Sequence, residues 1–96
     1  MAHVVVINPF EVPQDRDDEF LTLWEEANTF MERQKGYVGT RLHRSVDRKA
    51  RFRFINVAEW ESPQDFYAAL QHPDFVAFRD TVPFPHYPSV YEVMGT

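Results

Sequence analysis

The run from Phe52 to Phe66, F-R-F-I-N-V-A-E-W-E-S-P-Q-D-F, constrains this chain more than any other. Aromatic and β-branched residues dominate its first half, and neither proline nor glycine interrupts it before Pro63, so that half reads as a strand. Alternation along a strand puts Phe52, Phe54, Asn56, Ala58 and Trp60 on one face, and Arg51, Arg53, Ile55, Val57, Glu59 and Glu61 on the other. Asn56 and Trp60 then stand about 13 Å apart along one wall, at roughly 3.3 Å per residue. An amide on an otherwise apolar wall needs a hydrogen-bond partner, from the protein or from a ligand. Ser62 suits a helix N-cap, Pro63 the first helical position, and Asp65 the positive helix end, so a helix starts there with Phe66 opening its apolar stripe. Trp60 thus sits near a strand-to-helix corner, where pockets often open.

Ninety-six residues make a single domain, residues 1–96. A chain this short hides only roughly 60–65% of its unfolded surface. With 44% hydrophobic and 16% aromatic residues, it carries more apolar surface than one small core covers, and a homodimer is the expected outlet. The absence of cysteine excludes disulfides and thiolate chemistry and suits the cytoplasm. The start, M-A-H-V-V-V-I-N-P-F, lacks a signal-peptide pattern, and no run approaches the ~20 apolar residues of a membrane span. A net charge of −5 argues against nucleic-acid binding. Arg41, Arg44, Arg48, Lys49, Arg51 and Arg53 cluster in one region, read as a solvated edge that discourages aggregation rather than as an anion site.

His3 to Val12 reads as a first strand with apolar residues on both faces. Asn8 shares a face with Val4, Val6 and Phe10, a second amide on an apolar wall. Pro9 and Pro13 make the later half of this strand an expected edge or bulge. Asp15 to about Gln34 is an amphipathic helix with Phe20, Trp24, Ala27 and Met31 as its stripe, widened by Leu23 and Phe30, and Gly36 caps it. Tyr37 to Ser45 is a second strand, with Val38, Thr40 and Leu42 opposite Tyr37, Gly39, Arg41 and His43. A turn at 46–50 leads into the strand already described. A helix follows from Ser62 to about Gln71, then a shorter one after His72-Pro73-Asp74 bearing Phe75, Val76 and Phe78. Pro83, Pro85 and Pro88 stiffen a crossing that carries Phe84, His86 and Tyr87, and Ser89 to Met94 closes the chain as a strand. The order β-α-β-β-α-β is that of an α+β, ferredoxin-like sheet with helices on one face. Its other face carries Ile55 and Val57, which a second sheet would cover.

Phosphate-binding glycine loops, nucleophile elbows and zinc-binding helix motifs are all missing. No metal site can be assembled from the four scattered histidines. The run I-N-V-A-E-W-E-S-P-Q-D-F, preceded by G-Y-V-G-T, resembles the antibiotic biosynthesis monooxygenase family of dimeric α/β barrels, over most of the chain. That resemblance implies a cofactor-free monooxygenase that turns a phenolic, polyketide-like aromatic into a quinone with O2. Carried over by position, it implies catalytic roles for Asn56, which would bond the substrate carbonyl or its oxyanion, for Trp60, which would stack on the ring, and for Arg79. It further implies a substrate-binding set of Asn8, Trp24, His43, Phe66 and Phe78. Phe66 stands where the quinone-forming members carry a tyrosine. Haem-degrading members of the same fold offer an alternative, matched by Asn8 and Trp60. Their axial histidine aligns near Arg79, which stays protonated and cannot ligate iron. His72, two helical turns earlier, is the remaining ligand for that reading. A dimeric module that binds small aromatics without turning them over is the third alternative.

Overall fold

The computed structural model describes residues 3–96, so the first two residues of the expected domain lie outside it. In chain order it contains β1 (Val4–Phe10), α1 (Asp17–Met31), β2 (Tyr37–Arg44), β3 (Phe54–Trp60), α2 (Pro63–Leu70), α3 (Pro73–Arg79) and β4 (Ser89–Tyr91). A short 3-10 turn at Gln14–Arg16 replaces the first turn expected of α1. The strands form one antiparallel sheet in the order β2-β3-β1-β4, the ferredoxin-like α+β fold expected from the sequence.

Burial follows the alternation of β3. Phe54, Ala58 and Trp60 are buried, while Ile55, Val57 and Glu59 on the other face are only partly so. The inner face carries two apolar clusters. Val6, Ala58 and Trp60 pack with Phe66 and Ala69 of α2. Phe10 and Phe54 pack with Val12, Phe20 of α1 and Phe84 from the proline-rich crossing. Phe20 stacks on Phe54 with ring centroids 4.4 Å apart, a contact that fixes α1 across the sheet.

Local chemistry sets the element ends. Ser62 Oγ accepts the Asp65 N–H at 3.1 Å, the N-cap of α2. His72 Nδ1 likewise accepts from the Asp74 N–H and starts α3. Gly36 adopts φ +88°, and a Cβ there would collide with the Asp65 carboxylate, so only glycine joins α1 to β2 beside α2. Asp17 at the start of α1 takes a two-pronged bond from Arg53, at 2.8 and 3.2 Å, which ties the helix to the approach to β3. That guanidinium holds the Asp17 carboxyl below the usual carboxylate range. Arg44 also reaches Asp17, and Arg51 pairs with Glu11, so half of the basic cluster is spent on acidic neighbours.

One sequence expectation is narrowed and another corrected. The later half of β1 is not bulged, since Val4–Phe10 pairs without interruption with β3. It is an edge, as expected: β4 reaches only Val5 to Ile7, and beyond Ile7 the other side of β1 meets the crossing through the bridge from Phe10 to His86. The Pro9 carbonyl accepts from Tyr87 N, so the side on which proline lacks its N–H faces the crossing and not the β3 ladder. Strand β4 is only three residues long, because the antiparallel register that pairs Val5 with Tyr91 runs out where β1 begins. No helix among the described residues is long and apolar enough to cross a membrane.

Candidate functional site

Between the inner face of the sheet and the three helices lies a cavity of about 170 Å³, open on one side. A dry cavity of about 150 Å³ accepts a benzene-sized ring. The stripe of α1 is its wall: Leu23, Trp24, Ala27 and Met31 line it, where a stripe of this kind commonly fills a core. Asn8, Asn56, Trp60, Phe66, Phe78 and Arg79 also border it. His43 does not. It is paired with Ile55 on the outer face of the sheet, and its Nδ1 lies 3.2 Å from the Ile55 carbonyl.

Asn56 is held in one orientation. Its Oδ1 accepts from Trp24 Nε1 at 3.1 Å and from Thr40 Oγ1 at 2.9 Å. An indole N–H can only donate, which settles which end of the amide is oxygen. The amino end is left with no protein partner among the described residues, on the border of an apolar cavity. Directly across the β1–β3 ladder stands Asn8, whose Oδ1 is sealed from solvent and reached by no donor of the protein. Such an orphaned acceptor costs roughly 1–3 kcal/mol unless something outside the chain bonds it. Of the two amides, only Asn56 therefore has a free group for the cavity, since the Asn8 Oδ1 is closed off there as well.

Trp60, 1% exposed, is clamped edge-on between Phe66 and Tyr37, at centroid distances of 5.6 and 5.7 Å. Tyr37 reaches this face through a β-bulge. It pairs with Trp60 while Gly39 pairs with Glu59, so Val38 is the extra residue and Tyr37 joins the side of Thr40 and Leu42. The expectation that Tyr37 shares a face with Arg41 and His43 is therefore corrected, and Gly39 inside the strand was its signal. The Tyr37 hydroxyl donates to Asn28 Oδ1 at 3.3 Å. Burial, and then the nearby Glu32 charge, push its phenol above the usual tyrosine range, so it stays protonated at neutral pH. Thr40, Asn28 and His86 also escaped the sequence reading. They sit on the cavity only because tertiary packing brings β2, α1 and the crossing together.

Arg79, at the end of α3, brings the one Lys or Arg side chain on the cavity border, and it makes no ion pair among the described residues. Among the described residues, no carboxylate borders the cavity. No metal-binding cluster of three His, Asp or Glu exists among the described residues. His72, the remaining axial ligand of a haem reading, uses Nδ1 to cap α3, packs edge-on against Phe30 and does not border the cavity. The residues that reading relied on therefore do not fit haem ligation.

The chain matches the model of a family described as antibiotic biosynthesis monooxygenase over residues 3–81. No curated protein matches it. Among solved structures it resembles a candidate monooxygenase from Shewanella loihica PV-4, at 39% identity and a TM-score of 0.88, over 99% of this chain and 97% of that one. It also superposes on SnoaB, a cofactor-independent oxygenase from Streptomyces nogalater, with a TM-score of 0.85 over 100% and 97% of the two chains. At 23% identity that likeness speaks for the fold alone. A candidate antibiotic biosynthesis monooxygenase from Bordetella bronchiseptica matches at 25% identity with a TM-score of 0.78, over 100% and 99%.

Proposed function

The chain belongs to the antibiotic biosynthesis monooxygenase family, and we propose that it oxidises a phenolic aromatic compound with molecular oxygen to a quinone, without a cofactor. The observation that carries this reading is the Asn56 amino group, oriented by Trp24 and Thr40 and unpaired beside Trp60 in an apolar cavity. An electron-rich phenol or anthrone, once deprotonated, passes an electron to dioxygen itself. A ring carbon then gains one oxygen as a carbonyl, and the second oxygen leaves as water with the two displaced hydrogens. What the protein must supply is a dry ring site and donors at the developing oxyanion. Asn56 donates there, Trp60 and Phe66 hold the ring, and Arg79 adds positive charge at the mouth. Phe66 lacks a hydroxyl, so no proton is handled at that position.

The working unit is taken to be a cytoplasmic homodimer joined sheet to sheet. In support of this, no helix packs over Val5, Ile7, Ile55 and Val57, and all four are only partly buried.

The test is oxygen uptake with a panel of anthrones and hydroquinones in the presence of a chelator. Uptake is expected, and Asn56→Ala is expected to lower kcat about 100-fold, the loss seen when an oxyanion donor is removed. An equal loss in binding and turnover would reduce Asn56 to a binding residue. Absence of uptake across the panel, together with ring binding, would favour the non-enzymatic module.

A further inference from the structure

The proposed reaction begins with loss of a proton from the ligand, and most groups around the cavity cannot take it. Asn8, Asn28, Thr40 and Asn56 do not titrate as bases at neutral pH. Tyr37 is protonated and its phenol is raised by burial. Arg79 is a cation. With no carboxylate on the border, one Brønsted base is left, His86.

The fold prepares this ring. His86 lies on the proline-rich crossing, bridged to Phe10 of β1. Its imidazole lies against the Phe10 ring at 5.4 Å, inclined by 29°. Nδ1 lies 2.8 Å from the Phe84 carbonyl oxygen. A carbonyl can only accept, so Nδ1 carries the hydrogen and the neutral ring has its free lone pair on Nε2. Nε2 has no protein partner among the described residues. The charged and titratable groups on the elements around it are Arg79 and Tyr37 on the cavity border and Arg16, whose guanidinium covers the Phe84 ring at 4.6 Å. They further include Tyr87 beside it, with Arg51 over its ring, and Glu11, whose N–H donates to the Pro85 carbonyl. The one anion among them, Glu11, is paired with Arg51 and makes no bond to Nε2.

We propose that His86 is the general base of this site. The inference rests on the phenolic reading above. The ligand O–H bond breaks, its proton forms a bond to Nε2, and the electron pair stays on the ligand oxygen, where Asn56 donates. The Nδ1–H bond to Phe84 persists, so the imidazolium forms without a change of ring position. The step is a proton transfer alone, with no redox change. The proton later returns to solvent or to the departing water.

The experiment uses 4-nitrophenol, whose phenolate is distinguished from the phenol by its absorption, at a pH where the free compound is mostly protonated. Wild-type protein is expected to bind it with a rise in the phenolate band, and His86→Gln to bind it without that rise. Oxygen uptake by His86→Gln is expected to fall about 100-fold, within the usual range for general-base catalysis, and added imidazole to restore part of it in His86→Gly. A phenolate band of equal size in wild type and His86→Gln would overturn the role of His86 while leaving the aromatic site intact. Binding of the neutral phenol by wild type would do the same. No binding of 4-nitrophenol by either protein would overturn the phenolic site itself.

Discussion

Trp24 carries its only polar atom on a nitrogen that donates and never accepts, and that nitrogen is committed to Asn56. Its polar influence on a ligand is therefore exerted through Asn56, while its ring is part of the cavity wall. With Trp24 and Thr40 both on Oδ1, the unpaired end of Asn56 is a donor, and the site should favour a ketone over the hydrocarbon of the same shape. A preference of about tenfold for fluorenone over fluorene is expected, one hydrogen bond's worth at about 1.4 kcal/mol. Removing both holders, by Trp24→Phe with Thr40→Val, lets the amide turn over, and equilibrium titration should find the preference gone. Asn56→Asp places an oxygen where the amino group was and should reverse it. Glycine gives a sharper contrast. Gly36→Ala forces a Cβ into the Asp65 carboxylate at φ +88° and is expected to cost about 1–3 kcal/mol in denaturant melts. Gly39→Ala meets nothing within 4 Å and should be close to neutral.

Helices α1 and α3 both wall the cavity but are anchored differently. Helix α1 buries Phe20 at 1% exposure in a stack with Phe54 and is clipped at its start by Arg53. Helix α3 buries no residue, and it meets its neighbours through partly exposed rings such as Phe75, which stacks on Phe30 at 5.5 Å. Amide hydrogen exchange should therefore be faster along Pro73–Arg79 than along Asp17–Met31, and equal protection would refute the difference in anchoring. Truncating the anchor, Phe54→Ala, is expected to remove about 3–5 kcal/mol, a large share of a small domain's net stability.

For the molecule as a whole, Asp17 supplies a pH dependence of known sign. Its folded-state value is lowered, first by the Arg53 hydrogen bond, so the bond stabilises the fold above the unfolded reference of 3.8. That contribution is lost as pH falls through the depressed folded value. Asp17→Asn should thus lower the unfolding midpoint at pH 7, with the gap to wild type closing below about pH 4. The uncovered sheet face carries the proposed assembly. Light scattering should give twice the mass of one chain, and Val57→Glu, which places a charge amid Val5, Ile7 and Ile55, should return it to a single chain's mass. A wild-type mass of one chain would rule the sheet-to-sheet dimer out.

How much of this was legible in the sequence follows from the range of the interactions. Alternation in F-I-N-V-A-E-W specified the inner face of β3, because successive side chains leave a strand on opposite sides whatever surrounds them. Ser62-Pro63 fixed the start of α2 for the equally local reason that a side chain can cap the next turn. Asn56 and Trp60 could be picked out as cavity residues on that basis, and Asn8 by the same rule on β1. Pairing across the sheet is what decided the rest. A register shift at Val38 swung Tyr37 onto the Trp60 face, and the geometry of β2 put His43 on the outer one. The roles of Trp24, Thr40 and His86 were out of reach of any periodicity. Each depends on a hydrogen bond or a stack between segments 16 to 76 residues apart, or on which carbonyl a ring nitrogen meets once the chain has closed. Sequence pattern determined which faces are apolar, and only the closed tertiary structure determined which polar atoms are left unpaired between them.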